Sequence, residues 1–146
     1  MDLLTLSFNN VFIKACSSVS GPKEKKGPLG NFFDYSFDHE RAGKNSFEDG
    51  EEEMSKKAID ILLKKVHLPL DSIDLVIGGD LTNQLASSHQ VSKDLPLSFI
   101  GVYSACSTMI LSMNLASVFV SNNHCKNVMC LPVVIMDLVK DNLDTL

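Results

Sequence analysis

Hydrophobic positions change their period several times along this chain, and each change marks an element. Residues 11–19, Val-Phe-Ile-Lys-Ala-Cys-Ser-Ser-Val, alternate enough to predict a strand. Two Gly-Pro pairs around a charged tetrad then interrupt the pattern, so residues 21–30 are expected to form a solvated loop. Residues 31–44 carry Phe32, Phe33, Tyr35 and Phe37 without a clean strand or helix period, which predicts irregular structure packed by aromatics.

Met54, Ala58, Ile61, Leu62 and Val66 recur at spacings of three and four, predicting an amphipathic helix over residues 47–66. Ser46 stands where an N-cap belongs. Glu48, Asp49, Glu51, Glu52 and Glu53 follow where the helix dipole favours anions, so they are expected to be its solvated first turn. Glu52 and Glu53 also stand four residues before Lys56 and Lys57. The dipole accounts for these carboxylates without a metal.

Residues 73–77, Ile-Asp-Leu-Val-Ile, read as a buried strand ending in Gly78-Gly79-Asp80. A helix over 81–94, a strand over 99–102, a helix over 105–121 and a strand over 127–131 complete the pattern. Such alternation implies the α/β class, with a mixed or parallel sheet and functional groups at the strands' C-terminal edge. Gly78-Gly79-Asp80 and residues 104–107 both fall at that edge.

The helix over 105–121 has no polar face, since Met109, Ile110, Leu111, Met113, Leu115, Ala116, Val118, Phe119 and Val120 go all the way round it. Such a helix is built to be surrounded. Residues 95–123 contain no Asp, Glu, Lys or Arg, a stretch long enough to span a bilayer. Pro96, Ser98, Gly101, Ser104, Ser107, Thr108, Ser112, Asn114 and Ser117 dilute it, and a strand, a turn and a buried helix explain the same residues.

With 146 residues the chain has the length of one domain, and its net charge of -5 with dispersed basic residues leaves no footprint for nucleic acid or anionic lipid. Cys16, Cys106, Cys125 and Cys130 form no C-x-x-C and no ligand spacing with His39, His67, His89 or His124. Neither a metal site nor a disulfide framework is indicated, and a reducing, intracellular compartment is expected. The first residues lack the basic and apolar regions of a signal peptide. The Gly-Gly pair belongs to neither glycine-rich nucleotide motif, and no cofactor is expected.

The chemistry concentrates at Phe99-Ile-Gly-Val-Tyr-Ser-Ala-Cys106-Ser-Thr. A strand breaks into small residues and opens a helix on a thiol, where unpaired N–H groups suit a nucleophile or an anion contact. The competing reading is a small buried cysteine opening a core helix.

Three segments, Gly21-Pro-Lys-Glu-Lys-Lys-Gly-Pro-Leu-Gly30, Gly79-Asp-Leu-Thr-Asn-Gln84 and Gly101-Val-Tyr-Ser-Ala-Cys-Ser-Thr108, together resemble the stage V sporulation protein AD family. The resemblance runs over residues 11–131, and the first segment is its specific mark. It implies the N-terminal half of a thiolase-like α/β fold, with a mixed sheet and helices on both faces. It also implies a sporulation protein that binds dipicolinic acid and takes part in its uptake into the developing spore. A forespore location at the inner spore membrane, partners from the same spore operon and a homodimer of the full-length form follow from the same resemblance.

A planar dicarboxylate needs cations and N–H donors. Cys106 and Ser107 are the anion contact this reading expects, Lys23 its cation, and Asp80 and Asn83 its neighbouring polar groups. For Asp80, capping the helix after Gly79 is the role the residue favours over a ligand contact. In the wider superfamily the residue matching Cys106 is an acyl-accepting nucleophile, which keeps acyl transfer as the alternative. Its partner groups come from a later half that these residues do not match, so the chain is not expected to be an enzyme.

The likeness stops after Leu131. Codons can be chosen for residues 132–146 that, read in another frame, resemble the family's continuation, so this tail is expected to be a frameshift product without selected structure. The competing reading is a short strand and helix, for which residues 133–139 are apolar enough.

Overall fold

Strand β3 (Leu75–Gly79) organises the structure, because every one of its residues is buried. The computed structural model describes residues 6–80 and 86–133. β3 lies between β4 (Phe99–Gly101) and β5 (Val128–Pro132), with Ile77 opposite both Ile100 and Cys130. All pairings among the described residues are parallel, so over these residues the sheet takes the parallel form of the expected arrangement.

Successive strand side chains point to opposite faces. Leu75 and Ile77 therefore pack with Val102 and Ala116, under helix α4 (Thr108–Ser121). Val76 packs on the other side with Ile59 of α2 (Phe47–Val66) and Val91 of α3 (Ala86–Lys93). Helices cover both faces, as the alternation and the resemblance imply.

Helix α2 has the boundaries its periodicity predicts. The Ser46 hydroxyl accepts from Asp49 N at 3.0 Å, and the helix closes on His67 in the left-handed region, φ 52°. Its acidic start departs from expectation in one residue. Glu51 shares a face with Ser55 and Ile59 and is buried to 1 % exposure, because that face turns inward. Glu52 does meet Lys56, but Glu53 pairs with Lys44 at 3.0 Å, while Lys57 lies over the Tyr35 ring at 4.6 Å.

Helix α3 is clamped to α2. The Lys56 ammonium bridges Glu52 and Asp94, which hold its pKa above the usual lysine range, and Gln90 donates to Glu52 at 2.8 Å. The helix expected over residues 81–94 is seen from Ala86, and residues 81–85 lie outside the described residues.

The N-terminal third corrects three expectations. Of the strand expected over 11–19, the ladder holds Val19 alone: β1 (Val19–Ser20) pairs with β2 (Tyr35–Ser36) inside the stretch read as irregular. Alternation marks a potential strand, but a ladder needs a neighbour. Residues 11–18 are held instead by single bonds such as Ser17 Oγ to Ala58 O at 2.8 Å, and Phe12 and Ile13 stay exposed. The expected loop over 21–30 contains helix α1 (Pro22–Lys25), with proline in its first turn, and leads into a 3-10 turn at Gly30–Phe32.

At the other end, β5 runs through Pro132 and Val133 N donates to Gly79 O at 3.0 Å. The rest of the tail, residues 134–146, lies outside the described residues.

Candidate functional site at the strand ends

The site region is framed by two glycines that let backbones close on each other. A Cβ at Gly78 would sit 2.5 Å from Leu131 O, and one at Gly79 only 1.9 Å from Val102 O and 3.1 Å from Thr108 Cγ2. The Gly-Gly pair therefore serves strand packing. It fixes the end of β3 against the turn that follows β4, so Asp80 and Cys106 come after the carboxyl ends of adjacent parallel strands.

Cys106 is exposed and occupies a 3-10 turn, Ala105–Ser107, ahead of the α-helix proper. The expected helix start at residue 105 is thus displaced to Thr108. Ala105 adopts φ 45°, the left-handed region that costs a non-glycine residue about 1 kcal/mol or more. Local hydroxyls hold this turn. Ser107 Oγ donates to Ser104 O at 2.7 Å and meets Ser104 Oγ at 2.6 Å, while Thr108 Oγ1 donates to Ala105 O at 2.8 Å and accepts from Ser104 N at 3.2 Å. These bonds compete with helical pairing. The Ser107 hydroxyl consequently does not cap α4.

Asp80 is 1 % exposed, and its Oδ2 accepts from Ser88 N at 2.9 Å and Ser88 Oγ at 2.7 Å. This ties the end of β3 to α3, the capping alternative read from the sequence. Ser88 itself carries no sequence signal, since eight residues separate it from Asp80 and the fold alone joins them.

Lys23 lies on α1 and its ammonium meets Glu40 at 3.2 Å. That helix belongs to the β1–β2 unit, whereas Cys106 follows the three-stranded sheet. Asn83 lies outside the described residues. Two separate bonded groups thus follow the adjacent strand ends: Ser107 with Ser104 and Thr108 in the cysteine turn, and Asp80 with Ser88.

Cys16 is exposed like Cys106, whereas Cys125 and Cys130 are half-buried. Burial pushes the Cys130 thiol pKa up, and burial with the Asp74 carboxylate does the same to Cys125. Among the described residues, no three His, Cys, Asp or Glu side chains gather as a metal site, and no helix is long and apolar enough to cross a membrane.

A parallel sheet covered on both faces, with a cysteine turn and a buried aspartate after adjacent strand ends, defines an α/β protein of the kind that places its site at the sheet's carboxyl edge. Comparison with known proteins makes that class particular. Residues 4–134 match the family described as stage V sporulation protein AD, and the chain belongs to that family. It is 34 % identical over 116 residues to stage V sporulation protein AD of Bacillus subtilis (strain 168), a match covering 80 % of this chain and 34 % of that protein. The chain thus spans about a third of the length of this relative.

Solved structures similar to it include 3-oxoacyl-[acyl-carrier-protein] synthase III from Aquifex aeolicus VF5, at 20 % identity, with a TM-score of 0.49 over 62 % of this chain and 30 % of that one. A variant of OleA from Xanthomonas campestris follows at 19 % identity, with a TM-score of 0.43 over 57 % and 25 %.

Proposed function

We propose that this chain supplies the N-terminal, thiolase-like part of a sporulation protein that binds dipicolinic acid during its uptake into the developing spore. Membership of the stage V sporulation protein AD family carries this reading. On this reading the ligand meets the strand edge. Exposed Cys106 and Ser107 stand at the turn into α4 and supply the proposed anion contact. Asp80 holds β3 to α3 behind them, and Lys23 and Asn83 complete the proposed set.

Binding belongs, on this reading, to the longer protein. It acts without catalysis, as a homodimer, with other proteins of its spore operon at the inner spore membrane of the forespore. On the same reading residues 132–146 are an out-of-frame tail that replaces the rest of that longer protein, although its first three residues still fall within the family match over 4–134, and resequencing the gene from the Cys130 codon onward tests this directly.

Titration calorimetry with dipicolinate on the complete family protein, followed by single alanine variants at Cys106, Ser107, Lys23, Asp80 and Asn83, tests the site. Weaker binding in at least one of the five variants is expected. Unchanged affinity in all five overturns the assignment. The exposed thiol on a strained turn favours one second reading, acyl transfer through Cys106. A mass increase at Cys106 after incubation with an acyl-CoA would establish it, and an unmodified thiol would remove it.

A further inference from the structure

We draw no further inference here: the strongest candidate, the exposed apolar face of α4 around Met109, Ile110 and Val118, is an unpartnered helix face with nothing in the structure to show what covers it.

Discussion

Gly79→Ala probes the frame of the site. The added methyl would lie 1.9 Å from Val102 O, where real Cβ atoms essentially never come within 3.0 Å, so the two backbones must part by about 1 Å. Val102 cannot swing aside freely, because its N–H donates to Gly78 O at 2.9 Å. Losing that ladder bond costs about 1 kcal/mol, and forcing the packed strands apart about 2 kcal/mol more. A total near 3 kcal/mol lowers the folded-to-unfolded ratio about 150-fold. It should lower Tm by roughly 6–12 °C for a chain of this size. Thermal and urea melts followed by far-UV circular dichroism measure this, with Gly43→Ala as the comparison. Gly43 has φ 80° and nothing within 4 Å of an added Cβ, so only backbone conformation is charged there. That variant should cost about 1 kcal/mol. A Gly79→Ala protein that melts within about 2 °C of the parent, or above Gly43→Ala, would refute the close-approach argument.

Asp80→Ala leaves the Ser88 N–H without its buried acceptor and should destabilise by about 2–3 kcal/mol in a urea melt; a loss within about 0.5 kcal/mol would show that the contact does not hold α3. Ser46→Ala removes the α2 cap and should cost about 1 kcal/mol by the same assay, with Ser46→Thr recovering most of it. The Asp74 carboxyl is held below its usual pKa by the N–H groups of Asn127 and Lys126, so its contribution stands above the ordinary carboxylate range and fades as pH falls through the lowered folded value. Asp74→Asn should accordingly flatten the acid limb of a urea-midpoint profile, and superimposable limbs would count against it. Ile110→Lys should reduce self-association of the chain in sedimentation velocity, since Met109, Ile110 and Val118 leave an exposed apolar face; a parent that stays monomeric at every concentration would contradict this.

What could be read from the chain divides by how local its cause is. Helix α2 was legible from end to end, because cap, charge and periodicity all lie within its own twenty residues. β3 was legible as a run too apolar to face water. Residues 11–18 carry an equally good strand pattern, yet a strand exists only if a partner lies alongside, and that is decided by distant residues. Glu51 shows the same limit inside a helix. Dipole reasoning assigned it to solvent, whereas the face it shares with Ser55 and Ile59 decided its burial. At the site, the cysteine and its strand edge could be anticipated from Gly101 to Thr108. The displaced helix start could not, since it depends on which backbone groups the hydroxyls of Ser104, Ser107 and Thr108 capture.

The order β4-β3-β5 also sets a timetable for the nascent chain. Ile77 finds Ile100 after 23 further residues but meets Cys130 only after 53. At ribosomal speeds of roughly 5–20 residues per second, one side of β3 waits about 3–10 s for its ladder partner. Throughout that interval the most water-averse strand of the protein has a bare edge, open to any extended polypeptide nearby. Helix α2 is synthesised before β3 emerges but packs on the sheet's face through Ile59, so it leaves that edge uncovered.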